Sequence, residues 1–158
     1  MVSLKKPLTM EKLDSAIAAL NVESLHNKVV GNSSTYQFTK QEITLAIESG
    51  AIQAYFQPQV EAGAGEIVSA EALVRWNHPE YGLLTPFHFL NQVSEQQMDY
   101  AVFQSMCNSA LKFAATVRGL GGKITVSVNA TPDDLMQEGL LEFILGMLSE
   151  YSLPAEYL

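Results

Sequence analysis

Between Ile67 and Trp76 an apolar run is broken by one carboxylate and one guanidinium, those of Glu71 and Arg75. Side chains alternate along a strand, so Ser69, Glu71, Leu73 and Arg75 share one face, and Ala70, Ala72, Val74 and Trp76 the other. Burying an unpaired charge costs several kcal/mol. The two charges therefore need each other, a metal ion, or a polar ligand at the mouth of a sheet. A structural ion pair is the plain alternative to a site.

The segment Lys123 to Asn129 repeats the pattern, with Ile124, Val126 and Val128 alternating against Thr125, Ser127 and Asn129. Asn129 falls at the carboxyl end, where parallel sheets place their ligands, although an Asn there also serves as a turn or cap. Glu71 and Asn129 both offer the hard oxygens that suit Mg²⁺ or Mn²⁺, but two ligands do not complete a site. Gln57, before Pro58, carries an amide able to bond a base or a phosphate oxygen. Asp133 and Asp134 look like a catalytic pair, yet Thr131-Pro132-Asp133-Asp134 is also how a helix begins: Thr caps, Pro takes the first position, and carboxylates face the positive end of the dipole. No second His or Cys sits at metal-ligand spacing from His26, His78 or His88, and there is no Gly-rich phosphate loop or nucleophile elbow.

The positioning elements follow from periodicity and caps. Met10, Leu13, Ala16, Ile17 and Leu20 recur at helical spacing and predict an amphipathic helix within residues 1–20; residues 21–38 read as a linker. The capping box of Thr39 and Glu42, with Gly50 as a left-handed stop, brackets a helix from Lys40 to Ser49. Strands are expected at Ile52–Val60 and Ile67–Trp76, antiparallel across a short turn, then a loop from His78 to Phe89 and a helix from Ala101 to Val117. After the strand ending at Asn129, one helix opens at Thr131 and carries its apolar stripe on Leu141, Ile144, Leu145 and Leu148. This order predicts α/β architecture with a parallel sheet, either doubly wound or part of a barrel.

With 47% hydrophobic and 16% charged residues, the chain has a core to bury. Its net charge of −8 disfavours nucleic-acid polymers and anionic membranes, and no apolar run is long enough for a membrane span. The single Cys107 offers neither disulfide nor thiolate cluster, so a reduced, cytoplasmic setting is expected.

Taken in order, Tyr55-Phe56-Gln57-Pro58, the run from Ile67 through Glu71-Ala72-Leu73-Val74-Arg75-Trp76 to Pro79, then Gly82, Pro86 and Phe89, then Ser127-Val128-Asn129 closely resemble EAL-domain cyclic di-GMP phosphodiesterases. The resemblance covers residues 39–158. It implies the amino-terminal half of a TIM-like (β/α)₈ barrel, with Glu71 and Asn129 as ligands of Mg²⁺ or Mn²⁺ and with Gln57, Leu73 and Arg75 lining the site for cyclic di-GMP. The complete family domain hydrolyses that dinucleotide to linear pGpG. The stretch Leu4-Lys5-Lys6-Pro7-Leu8 before a helix is similar to the end of a response-regulator receiver domain, an arrangement known in signalling proteins of this family.

The family's later metal carboxylates, its Asp-Asp pair before a Phe-Gly turn, its catalytic Lys and its late Glu have no counterpart here. A barrel of this kind takes about 250 residues. The chain by itself is therefore expected to be catalytically silent, with an open sheet edge available for homo-oligomer formation. The alternative reading is a non-catalytic cyclic di-GMP-binding or protein-interaction module. Between Phe89 and Val102 the segment Glu95-Gln96-Gln97-Met98-Asp99 is shorter than the family's.

Overall fold

A computed structural model describes residues 36–62 and 65–158. The helix expected within residues 1–20, its likeness to a receiver domain, and the linker up to Thr35 lie outside the described residues. The last residues of that linker dock onto the domain. Phe38 is buried, its N–H donates to Gln92 Oε1 at 2.5 Å, and its carbonyl accepts from Gln96 Nε2 at 2.7 Å.

Thr39 and Glu42 form the expected capping box and start α1 (Lys40–Glu48), which ends at Gly50 with φ +72. The antiparallel strands follow as β1 (Ile52–Val60) and β2 (Ile67–His78). Pro58 is tolerated inside β1 because that strand lies at an edge of the described sheet.

The stretch expected to be a loop carries more structure. A three-residue strand β3 (Gly82–Leu84) folds back on β2 through Gly82, whose φ of +71 only glycine adopts freely, and a 3₁₀ turn spans Pro86–His88. A short helix α2 (Leu90–Glu95) precedes α3 (Asp99–Gly119). In the tight turn between them, Gln97 takes a φ of +57.

β4 (Thr125–Val128) pairs parallel with β2, which completes a four-stranded mixed sheet with β2 bonded to all three others. The sheet is open, and only part of a barrel wall is present. α3 covers one face, where Ala70, Ala72, Val126, Cys107, Ala110, Leu111 and Ala114 are buried. Phe56 stacks on Phe113 there at 4.1 Å between ring centres.

The single helix expected after Thr131 is two. α4 (Pro132–Leu135) stops after one turn, and α5 (Leu140–Glu150) starts again after Gly139 at φ +80. The restart rotates the buried face. Leu148 and Met147 are buried, whereas Leu141 and Leu145, expected in the apolar stripe, are 65% and 52% exposed.

Candidate functional site

The face of the sheet opposite α3 gathers the polar residues. β1 and β2 pair so that Gln57 stands opposite Glu71, Tyr55 opposite Leu73, and Gln53 opposite Arg75. On the other side of β2, Ser127 stands opposite Glu71. Glu71 is thus flanked by an amide and a hydroxyl in one row across three strands, and the period of two that a strand imposes is the whole reason.

Asn129 lies one residue beyond β4, and its Nδ2 donates to Glu71 Oε1 at 2.9 Å. Gln57 and Asn129 are exposed, while Glu71, Leu73 and Arg75 are half-buried. Arg75 lies four residues along β2 from Glu71, and its Nη1 donates to the Val74 carbonyl at 2.7 Å. The ion pair found among the described residues is Lys123 with Glu156, so Glu71 and Arg75 do not neutralise each other. The plain alternative raised by the sequence is not what the fold adopts, and Arg75 keeps most of its donors.

The donor set suits part of a hard-cation shell. Turning the Asn129 amide about its last torsion exchanges nitrogen for oxygen beside the Glu71 carboxylate. Among the described residues no group of three or more His, Cys, Asp and Glu side chains comes together. Mg²⁺ keeps several waters and commonly takes one or two protein oxygens plus substrate phosphate, a demand that Glu71 and Asn129 match in kind.

Leu73 and Asn129 also line a cleft of about 300 Å³ whose other walls include Val93, Phe103, Met106 and Val128. The cleft takes in two of the five candidates and is mainly apolar, whereas the polar candidates gather on the open sheet face. Asp134, also on its wall, is 3% exposed and spent on structure: its Oδ2 accepts from the Thr131 N–H and hydroxyl, each at 2.8 Å. The Asp133-Asp134 pair is a helix start, as its position next to Thr131 indicated.

Two polar groups on the open face escaped sequence analysis. Tyr55 and Asn77 share it with Gln57 and Arg75, and Tyr55 Oη and Asn77 Oδ1 are buried without a hydrogen-bond partner. Alternation alone would have found Tyr55, two residues before Gln57; Asn77, two after Arg75, lies one residue past the expected end of its strand, which runs on to His78.

A family model described as EAL domain matches residues 40–158. Cyclic di-GMP phosphodiesterase RocR of Pseudomonas aeruginosa is 32% identical over 113 residues, which is 72% of this chain and 29% of that protein. The PaMucR phosphodiesterase, solved as a c-di-GMP complex, superposes with a TM-score of 0.64 at 25% identity over 72% of this chain and 46% of its own. The FimX EAL domain of Xanthomonas citri, solved in complex with c-diGMP, gives 0.67 at 15% identity over 74% of this chain and 45% of its own, a likeness of fold. The chain spans less than half the length of each of these proteins.

Proposed function

The chain belongs to the EAL domain family, and we propose that it supplies the amino-terminal half of a site for cyclic di-GMP, built on the open face of its sheet. In this reading Glu71 and Asn129 hold Mg²⁺ or Mn²⁺, and Gln57, Leu73 and Arg75 contact the dinucleotide. The observation that carries it is the bond from Asn129 to Glu71, which joins side chains from β2 and the end of β4 on one face. The c-di-GMP complex of the PaMucR phosphodiesterase supports the choice of ligand.

Each residue has work suited to its chemistry. Glu71 and Asn129 present oxygen to the cation, which when bound activates water and offsets phosphate charge. Arg75 offers a fork of N–H donors to a phosphate oxygen, Gln57 an amide to a base or phosphate, and Leu73 an apolar edge against a base. The remaining ligands and the proton-transfer groups come from outside the residues of this chain, so phosphodiester hydrolysis is an activity of the complete domain.

Calorimetry of the chain with cyclic di-GMP, with and without Mg²⁺, tests the proposal. Metal-dependent binding that disappears in Glu71→Ala is the expected result. Binding indifferent to both metal and Glu71 would leave a second reading, an interaction module without a metal site, favoured by the exposed Leu135, Met136, Leu141 and Leu145.

A further inference from the structure

Arg75 and Arg118 are the two arginines of the chain. Arg118 is committed elsewhere, donating to the Ser152 carbonyl with its guanidinium 6.0 Å from the Tyr157 ring centre. Arg75 makes its one described hydrogen bond to the carbonyl of its own neighbour, Val74, and keeps several donors unused.

Beside it are the two orphaned atoms, Tyr55 Oη and Asn77 Oδ1. Leaving a polar atom buried and unpaired costs about 1–3 kcal/mol, so two on one face call for an explanation. Tyr55 pairs with Leu73 and Gln53 with Arg75, which makes Tyr55 and Arg75 diagonal neighbours on one face, within reach of an aromatic and a long side chain. Asn77 extends the same row, held by its N–H to the Ala51 carbonyl at 2.8 Å. Burial raises the Tyr55 pKa and the Arg75 charge pulls it down, so the guanidinium acts on the hydroxyl.

We propose that Tyr55 and Asn77 are positioning residues that seat the Arg75 guanidinium on the open sheet face. Arg75 donates its Nε–H to Tyr55 Oη, and the Tyr55 hydroxyl donates to Asn77 Oδ1. One relay satisfies both orphaned atoms, and each bond polarises the next. The Val74 carbonyl is the resting place from which the side chain swings. Seated, the guanidinium turns its free edge outward with less rotamer freedom left to lose when an anion arrives. Only that last consequence rests on the reading of Arg75 as a dinucleotide contact.

Nitrogen-15 NMR of the arginine Nε–H groups tests the relay, because Arg118→Lys leaves the Arg75 signal alone. Exchange of that proton with water is expected to accelerate about tenfold in Tyr55→Phe, the scale of one hydrogen bond to a charged group. It accelerates less in Asn77→Ala and stays slow in Asn77→Asp, which keeps an acceptor. Unchanged exchange in Tyr55→Phe overturns the relay. If Tyr55→Phe does not fold, the Asn77 variants decide alone, and equal exchange in Asn77→Ala and Asn77→Asp overturns it. Titration of the same samples with cyclic di-GMP separates the two ideas: slow exchange without binding keeps the seat and removes the dinucleotide reading, whereas binding with unchanged exchange does the reverse.

Discussion

Asn129 and Glu71 meet across two parallel strands, Nδ2 to Oε1 at 2.9 Å, on a face that α3 leaves uncovered. A bond this exposed contributes about 1 kcal/mol or less to folding, so its value lies in what it aligns. Wild-type chain is expected to gain resistance to urea when Mg²⁺ or Mn²⁺ is added, since a ligand that binds only the folded state stabilises it by mass action. Glu71→Gln and Asn129→Ala should unfold within about 1 kcal/mol of wild type in EDTA and gain nothing from the metal. Equal gains in all three proteins would remove both residues from the ligand set.

The two aspartates of the Thr131 turn should part company. Asp134 is buried and accepts two bonds from Thr131, so Asp134→Ala is expected to cost about 1–2 kcal/mol in urea unfolding. Asp133 is exposed and makes no described side-chain bond, so Asp133→Ala should stay within about 0.5 kcal/mol. The reverse order would return the pair to the list of functional candidates.

How far the sequence could be read depended on which force set each feature. Strand alternation is geometry, so the shared face of Glu71, Leu73 and Arg75 follows from residue order alone. Caps are local chemistry, so Thr39 with Glu42 placed the start of α1. The break at Gly139 was not legible, because Leu141, Ile144, Leu145 and Leu148 fit one continuous helix as well as a new one, and only packing decides which side is buried. β3 was hidden for a similar reason: its three residues hold position through pairing with Trp76, Asn77 and His78, not through propensity. The fate of Arg75 was beyond the sequence altogether, since alternation fixes a face but not the partner a long side chain selects.

Gln97 offers a test of the turn between α2 and α3. Its φ of +57 lies where side chains with a Cβ are strained, and the tight turn from α2 to α3 imposes it, with Gln97 N–H to Ser94 O and Met98 N–H to Val93 O both at 2.9 Å. Gln97→Gly should therefore raise the urea midpoint, by the equivalent of about 0.5–1 kcal/mol. Gln97→Ala keeps the Cβ and should show no such gain. A lower midpoint for the glycine variant would mean that the Gln97 side chain is worth more than the strain.

His78 sets a pH dependence. Its Nδ1 accepts from the N–H groups of Glu80 and Tyr81 at 3.2 and 3.3 Å, and its ring stacks on Tyr81 at 4.5 Å. Burial lowers its pKa below 6.5, against the opposing pull of the Glu42 and Glu80 carboxylates. The unfolded chain then binds more protons than the folded one between the two values, so stability rises with pH through that window. The contribution is fully present above about 6.5 and is lost as pH falls through the folded value. Wild type is expected to lose more stability than His78→Gln between pH 7.5 and pH 5.5, measured by urea unfolding as the difference between the two proteins. Parallel losses would show that the imidazole carries none of the dependence.

Leu141 and Leu145, one turn apart on α5 and 65% and 52% exposed, lie beyond a turn that also exposes Leu135 and Met136 at 60% and 84%. Exposed apolar side chains of this kind are a candidate contact, and β4 adds an edge that is unpaired among the described residues. Light scattering of the chain is expected to show a mass that grows with concentration. Glutamate at both positions, Leu141→Glu with Leu145→Glu, places like charges on an already acidic surface and should return the chain to a monomer. Because neither side chain is buried, unfolding should shift by no more than about 0.5 kcal/mol. Association that survives the double substitution would assign the contact to the strand edge, where only backbone groups are offered. A wild-type chain that stays monomeric at every concentration would show that neither surface binds a second copy.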